Sequence, residues 1–295
     1  MMTLAQLAER FPTEDSCREY LVQMRWPSGV CCPRCGNAKV YRLTRPWTWQ
    51  CMACAPNGYR FSPLVGTIFE NTNVPLRTWF QVIYLMCQSK KGISALQVQR
   101  MIGAGSYRTA WYMCHRIRAA MQSPEFKKLT GVVEVDETYV GGTAKNRHGR
   151  RVDGTSMKVR DGKRGTSGKV AVIGALSRKG NVIAKVIENT KEATMVGFVR
   201  AAVSEKVTLV ASDEHENYKR IGLPHGTVNH TRGEYVRGNV HTANIDSFWS
   251  QLKRGIVGTF HKVSRDYLPL YLNEFSFRYN NRKDANMFAL VVAGS

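Results

Sequence analysis

The spacing of apolar residues divides the chain into two parts with different expected secondary structure. In residues 1–24 and 75–122, apolar side chains recur three and four positions apart, as on one face of an amphipathic helix. From residue 132 onward, short runs rich in β-branched residues replace that spacing. The pattern predicts a helical part followed by a part built around a β-sheet.

The second part alternates between predicted strands and predicted helices. The predicted strands cover residues 132–140, 169–177, 181–188 and 207–212. The predicted helices cover residues 191–205, 245–257 and 268–282. The close succession of the first three strands favours antiparallel neighbours, and the strand–helix–strand step after them favours a parallel pair. The expected fold class is therefore α/β, with a mixed sheet flanked by helices.

Residues 141–169, between the first two predicted strands, have a different composition. They are rich in glycine and basic residues and nearly devoid of large apolar side chains. Such a segment cannot bury a core, so it is predicted to be a loop. We favour an arm that follows DNA phosphates over a solvated insertion, because the loop adjoins a candidate active site.

The charge balance points to a polyanionic partner. Among the 295 residues, 43 Lys and Arg face 22 Asp and Glu, which gives a formal net charge of +21. Folding does not need this excess, which costs self-repulsion. Nucleic acid is the first polyanion to consider, with a role in solubility as the alternative.

Compartment and membrane contact follow from two features of the sequence. It has nothing close to the roughly 18 continuous apolar residues of a membrane span, and its acidic N-terminal segment is unlike a signal peptide. We therefore expect a cytoplasmic protein without a membrane partner, whose eight cysteines are not paired as disulfides.

Four of the cysteines have the spacing of a metal site. Cys32 and Cys35 form one CxxC pair, and Cys51 and Cys54 form a second one fifteen residues further on. Zn²⁺ prefers four tetrahedral ligands, and two such pairs are typical of a zinc ribbon, here in residues 25–63. The alternative is a set of unrelated buried thiols. Cys31 competes with Cys32, but the CxxC spacing favours Cys32.

Residues 64–128 contain two predicted helices around a glycine-containing turn. Ser106 is placed to cap the second helix. In a helix-turn-helix, the first residues of the second helix contact bases, which would assign DNA contact to Tyr107, Arg108 and Thr109. A helical hairpin without DNA contact has the same pattern.

Three aspartates stand where a sheet-based metal site would need them. Asp136 lies inside the first apolar strand, Asp213 ends the fourth, and Asp246 comes 33 residues later near a helix start. An acid inside an apolar strand is costly unless it is paired or binds a metal. This order is the pattern of an RNase H-like site, in which carboxylates hold Mg²⁺ for phosphodiester chemistry. Each aspartate alone has a structural alternative, such as capping a helix.

Beyond these features, the chain resembles a known family over nearly its whole length. The segments that carry the resemblance are "CPRCG", "WQCMAC", "VVEVDETYVGG", "ASDEHENY" and "HTANIDSFWSQLKRG". They look like bacterial insertion-sequence transposases of the DDE superfamily, in the group with an N-terminal zinc ribbon. The resemblance implies an RNase H-like fold, Mg²⁺ or Mn²⁺ in the catalytic site, and cleavage and joining of inverted-repeat ends. It places Asp136 and Asp213 on the first two catalytic aspartates.

The third metal ligand departs from the family pattern. Before Ser-Phe-Trp the family usually has Glu, whereas this chain has Asp246, which is one methylene shorter. The resemblance implies Asp246 as the third ligand, with Asn244 as the alternative because some members use an Asn.

Lys253 follows Asp246 by seven residues, so the two side chains share one helix face within about 20°. We expect Lys253 and Arg254 to contact DNA beside the metal. For Lys253 the alternative is a solvated helix lysine.

These inferences divide the chain into an N-terminal helix (1–24), the ribbon (25–63), the helix-turn-helix-like segment (64–128) and the catalytic domain (129–295). The expected function is a transposase that acts on double-stranded DNA, both transposon ends and target, as a homo-oligomer. The alternatives are a transposase-derived protein that only binds DNA, and an RNase H-like nuclease.

Overall fold

The structure is a computed structural model that divides into two compact units. One comprises Met1–Ser123 with Asn281–Ser295, and the other comprises Pro124–Asn280. The residues described are 2–122, 128–141, 148–150, 156–158, 169–178, 180–213, 216–218, 220–228, 234 and 236–295.

The regular elements are, in chain order, α1 (Leu4–Arg10), α2 (Glu14–Arg25), β1 (Val40–Arg42), β2 (Trp49–Cys51), β3 (Tyr59–Phe61), α3 (Leu76–Gln88), α4 (Ala95–Ile102), α5 (Tyr107–Ala120), β4 (Val132–Val140), β5 (His148–Arg150), β6 (Ser156–Lys158), β7 (Val170–Ser177), β8 (Val182–Ile187), α6 (Glu192–Ala202), β9 (Leu209–Ser212), β10 (His225–Thr227), α7 (Ala243–Gly255), α8 (Leu268–Asn280) and α9 (Met287–Ala293). A 3₁₀ turn (Glu216–Tyr218) follows β9, and a π-helical turn (Ile256–Phe260) follows α7.

The single helix predicted for residues 1–24 is instead two helices. The hydroxyls of Thr3 and Thr13 accept from the backbone N–H groups of Gln6 and Ser16 at 3.2 and 3.1 Å. Each threonine is thus an N-cap, and a cap in mid-segment starts a new helix. Pro12 lies at the break between them.

The last helix belongs to the N-terminal unit, although the sequence assigned residues 129–295 to one catalytic domain. The reason is an aromatic cluster. The ring of Phe80 on α3 lies 4.9 Å from Phe11 and 5.3 Å from Phe288 on α9. Burial of these rings attaches α9 to the N-terminal helices.

The start of α3 is capped by a side chain from another helix. Pro75 is the N-cap residue and has no side chain to accept a hydrogen bond. The Glu14 carboxylate on α2 accepts from the backbone N–H groups of Leu76 and Arg77 instead. A negative charge at this position also interacts favourably with the helix dipole.

The second unit contains a five-stranded sheet in the order β10-β9-β4-β7-β8 within the described residues. Strand β4 is antiparallel to β7, which is antiparallel to β8. Strand β9 is parallel to β4, as a strand–helix–strand connection requires, and lies beside β4 rather than beside β8. The predicted α/β fold class is confirmed: a mixed sheet with flanking helices, preceded in the sequence by a ribbon and a helical segment.

The two faces of the sheet bury different residues. Val133 and Val135 of β4 pack under α6, whereas residues of α7 and α8 cover the opposite face. Glu134 and Asp136 alternate with the two valines, so they face α7. The sheet therefore brings β4 carboxylates against the helix that carries Asp246.

The basic segment 141–169 falls largely outside the described residues. In the part that is described, β5 and β6 pair antiparallel, so this segment includes a short hairpin. No helix in the described ranges has the length and apolar character needed to cross a membrane.

Candidate functional site

Four cysteine sulfurs lie together in the N-terminal unit. The Sγ atoms of Cys32, Cys35, Cys51 and Cys54 are all within 4.8 Å of one another. The individual separations are 3.8 Å for Cys32–Cys54, 3.6 Å for Cys35–Cys51 and 3.5 Å for Cys35–Cys54. Tetrahedral Zn–S bonds of about 2.3 Å place sulfurs about 3.8 Å apart, so the cluster fits a structural Zn²⁺ ion.

The ribbon fold produces this cluster from local elements. Antiparallel strands β1, β2 and β3 form a small sheet, and Cys51 ends β2. Trp26, Trp49 and Phe61 pack beside the cysteines as the ribbon's core. Cys31 is only half-buried and is not among the four clustered sulfurs.

The thiols differ in how readily they lose a proton. Burial opposes ionisation of Cys32, but backbone hydrogen bonds from Arg34 and Cys35 lower its pKa to about 7. Hydrogen bonding with Cys35, together with burial, raises the pKa of Cys54 to about 12. A thiolate at Cys32 is the form that binds a metal.

A second cluster lies at the sheet in the other unit. Carboxylate oxygens of Asp136, Glu137 and Asp213 are all within 4.8 Å of one another. Asp136 and Glu137 belong to β4, and Asp213 directly follows β9. Such oxygens are the ligands that Mg²⁺ and Mn²⁺ prefer, so the donor set fits a hard divalent cation.

Sequence reasoning missed Glu137, because strict alternation places it on the face opposite Asp136. In the structure, β9 pairs with β4 only as far as Glu134. Beyond that point neighbouring side chains of β4 can approach Asp213 around the end of β9. The Tyr218 hydroxyl donates to Glu137 Oε2 at 2.7 Å and holds it there. In the sequence, the acidic residue directly after Asp136 is the feature that could have indicated a further ligand.

The surroundings of Asp136 disfavour its ionised form. Burial raises the pKa of Asp136 to about 8, and repulsion from Glu137, Asp213 and Asp246 adds to the shift. A divalent cation would offset the repulsion and favour the ionised form.

An indole holds one oxygen of Asp136. Trp249 Nε1 on α7 donates to Asp136 Oδ2 at 2.9 Å. Gly174 is the β7 residue paired with Asp136, and a Cβ atom there would lie 2.6 Å from the Trp249 ring. Glycine at this position therefore leaves room for the indole. Phe248, Trp249 and Leu252 are buried, as expected for packing residues of this helix.

Asp246 and Asn244 occupy different positions in the first turns of α7. Asp246 is exposed, and its Oδ2 accepts from the Thr242 hydroxyl at 3.2 Å. It lies outside the three-carboxylate cluster but close enough to raise the pKa of Asp136. The Asn244 side-chain amide instead donates to Glu134 Oε1 at 2.7 Å.

The basic residues expected to contact DNA are exposed. Lys253 and Arg254 lie in the last turn of α7. In the other unit, Tyr107, Arg108 and Thr109 begin α5, where the Ser106 hydroxyl caps the Arg108 N–H at 3.1 Å. Tyr107 and Arg108 are exposed, whereas Thr109 is half-buried. Contact of these residues with DNA stays a prediction.

Two family models match different parts of the chain. Residues 128–280, just over half of the chain, match the family described as ISXO2-like transposase domain. Residues 12–57 match the transposase zinc-ribbon domain.

Similar proteins include a relative from a transposable element and a chain of a viral intasome. One, 29% identical over 280 residues and covering 91% of each chain, is described as an uncharacterized protein in transposable element ISH50 of Halobacterium salinarum (strain ATCC 700922 / JCM 11081 / NRC-1). The other is a chain in the cryoEM structure of the simian T-cell lymphotropic virus intasome in complex with PP2A regulatory subunit B56 gamma. It is 10% identical, with a TM-score of 0.31 over 66% of this chain and 64% of that one. At that score the likeness does not establish a shared fold.

Proposed function

The chain belongs to the ISXO2-like transposase family, and we propose that it cuts and joins DNA at the ends of an insertion sequence with the help of divalent metal ions. The observation that carries this proposal is the cluster of Asp136, Glu137 and Asp213 at the end of β9. Carboxylates from β4 and from the end of β9 lie together there. If each acid had only a structural role, they would not need to be close to one another.

Each acid of the site has a proposed part. Asp136 and Asp213 would hold Mg²⁺ or Mn²⁺ between them, and Glu137 stands within reach of the same position. Asp246 would complete the set from α7. The ion would activate a water or a 3′-hydroxyl and stabilise the leaving oxygen of the phosphodiester.

Hydrogen bonds from neighbouring side chains orient two of these acids. Because Trp249 occupies one oxygen of Asp136, the other oxygen is directed away from the indole. Tyr218 does the same for Glu137. Lys253, on the face of α7 that also carries Asp246, would bind the phosphate of the DNA end and neutralise its charge.

The N-terminal unit would recognise the DNA. The zinc ribbon and the first turn of α5 present exposed basic and aromatic side chains, including Tyr107 and Arg108. Binding of two ends by one assembly requires more than one copy of the chain, so we expect a homo-oligomer on DNA.

Cleavage assays on a duplex ending in the inverted repeat that flanks the gene test this proposal. Asp136→Asn and Asp213→Asn should lower Mg²⁺- or Mn²⁺-dependent cleavage by about a thousandfold or more, as expected when several kcal/mol of charge stabilisation is lost. DNA binding, measured by gel shift, should persist. Asp266→Asn is the matched control, because Asp266 is an exposed acid of the same unit.

The same assays separate the alternatives. Unmutated protein that binds the ends but never cuts them would establish a DNA-binding protein without catalysis. Cleavage without joining of the cut end to a second duplex would establish a nuclease.

A further inference from the structure

Glu134 is a fully buried carboxylate two residues before Asp136 on β4, and it is surrounded by hydrogen-bond donors. Its Oε2 accepts from the backbone N–H groups of Asn244 and Ile245 at 2.8 and 3.1 Å. Its Oε1 accepts from the Asn244 side chain at 2.7 Å. A single strand residue thus binds the first turn of α7 through both of its oxygens.

These two backbone groups are the ones that an N-cap side chain normally binds. Thr242 is the N-cap residue of α7, and Asn244 and Ile245 are the second and third residues of the helix. In the described structure the Thr242 side chain makes no capping bond to the helix. Glu134 takes its place from the neighbouring strand, so the start of α7 is held to β4.

Because Glu134 caps the helix, the Thr242 hydroxyl can bind a different group. It donates to Asp246 Oδ2 at 3.2 Å, one turn further along α7. An N-cap hydroxyl that accepted from the helix would point toward the backbone instead. Capping by Glu134 therefore goes together with a defined orientation of the Asp246 carboxylate.

The guanidinium of Arg178 compensates the buried charge of Glu134. Arg178, directly after β7, donates through Nε to Oε1 at 2.7 Å, and His241 Nδ1 lies 3.3 Å from the same oxygen. The Arg178 guanidinium also donates to the His241 carbonyl at 3.1 Å. A buried carboxylate needs such partners, and here they join β4, β7 and the approach to α7.

We propose that Glu134 is a positioning residue, which fixes the first turn of α7 on β4 and thereby presents Asp246 to the carboxylate cluster around Asp136. This inference rests on the proposed function, because it assigns Asp246 to the metal site. It predicts that Glu134 affects metal binding without touching the metal.

Two measurements on the full-length protein test the proposal. Amide hydrogen exchange reports on the N–H groups of Asn244 and Ile245, and electron paramagnetic resonance of free Mn²⁺ gives its Kd without DNA. Glu134→Gln should speed exchange of both amides by about tenfold or more, because a charged acceptor is lost. It should also raise the Mn²⁺ Kd by about tenfold, as Asp246 loses its fixed position.

A second variant tests the contact between Thr242 and Asp246. Thr242→Val keeps the shape of the side chain but removes the donor to Asp246. It should raise the Mn²⁺ Kd while exchange at Asn244 and Ile245 stays slow. If Glu134→Gln fails to fold, wild-type Mn²⁺ affinity in Thr242→Val would still overturn the proposal.

The matched control is Glu14→Gln. Glu14 also caps a helix from a distance, but α3 carries no proposed metal ligand. Exchange should rise at Leu76 and Arg77 with no change in Mn²⁺ binding.

Three outcomes count against the proposal in different ways. Faster exchange in Glu134→Gln with an unchanged Mn²⁺ Kd would make Glu134 a structural cap only. Wild-type Mn²⁺ affinity in Thr242→Val would likewise overturn the inference and leave the proposed function standing. A wild-type protein that binds no Mn²⁺ would overturn the proposed function, and the inference with it.

Discussion

The two clusters of candidate metal ligands are assembled in opposite ways. The four cysteines come from one short ribbon, and their sulfurs leave no open position around an ion of tetrahedral preference. The three carboxylates come from β4 and from the residue after β9, which are distant in sequence. One oxygen each from Asp136, Glu137 and Asp213 leaves open positions in the octahedral shell of Mg²⁺.

This difference separates a site that stabilises the fold from one that costs stability. A ribbon with so small a core depends on its metal, because zinc binding and folding are coupled. Burial raises the pKa of Asp136, and repulsion from Glu137, Asp213 and Asp246 adds to the shift, so ionising this site costs stability.

The largest effect is expected from Cys32→Ser. Loss of one thiolate should remove the zinc, together with most of the roughly 10 kcal/mol or more of folding free energy that such sites contribute. Metal analysis should fall from about one Zn per chain to none, and the ribbon's tryptophans should become exposed to fluorescence quenchers. Cys31→Ser is the matched control and should keep the zinc; equal zinc in both variants would break the contrast.

Gly174→Ala should destabilise the second unit next most strongly. Its Cβ would lie 2.6 Å from the Trp249 ring, and overpacking of this kind costs about 3 kcal/mol. The midpoint of urea unfolding gives the change. Gly197→Ala on α6 is the control, since nothing lies within 4 Å of its Cβ and alanine favours a helix. A Gly174→Ala protein as stable as wild type would show that the indole can move aside.

The pH dependence of stability should reveal the cost of ionising Asp136, which is buried and lies beside other acids. The pKa of Asp136 rises on folding from 3.8 to about 8, so the folded state binds the extra proton. Its contribution is complete below the unfolded pKa and disappears as the pH rises through about 8. Metal-free wild type should therefore lose stability across this range.

Asp136→Asn removes this titration and should be more stable than wild type at pH about 8, by on the order of 2 kcal/mol. Mg²⁺ should restore wild type and leave the variant unchanged. Thermal melts at several pH values measure both effects. Parallel profiles of the two proteins would show that folding does not raise the pKa of Asp136.

The smallest effect is expected from Trp249→Phe. It removes one hydrogen bond to Asp136, worth about 1.5 kcal/mol to a charged acceptor, and should weaken Mn²⁺ binding severalfold. Trp79→Phe is the matched control, because the Trp79 indole also donates one hydrogen bond, to the neutral Thr72 hydroxyl at 2.9 Å. That variant should lose stability without changing Mn²⁺ affinity. Equal Mn²⁺ affinity in both would remove Trp249 from the metal site.

The sequence predicted what depends on local spacing. The CxxC pairs bring their sulfurs together through short turns, and the strands around Asp136 and Asp213 follow from runs of β-branched residues. Period-two alternation also placed Glu134 and Asp136 on one face. The resemblance to transposases, drawn from these motifs, is confirmed by the family match.

The sequence could not show where pairing between strands stops. Glu137 joins the cluster because β9 ends at Ser212, and no residue pattern within β4 reveals that point. Nor could spacing show that Asn244 and Asp246, which lie within one turn of each other, have different partners. Asn244 contacts Glu134, and that contact depends on the packing of a strand against a distant helix. Which of the two residues is the third metal ligand stays a prediction.

Capping by a carboxylate from another element also bears on how such a chain can change. The first turn of α7 is capped by Glu134 on the sheet, and that of α3 by Glu14 on α2, rather than by the N-cap side chain of each helix. We therefore expect insertions or deletions upstream of His241 to leave the first turn of α7, and with it Asp246, in place.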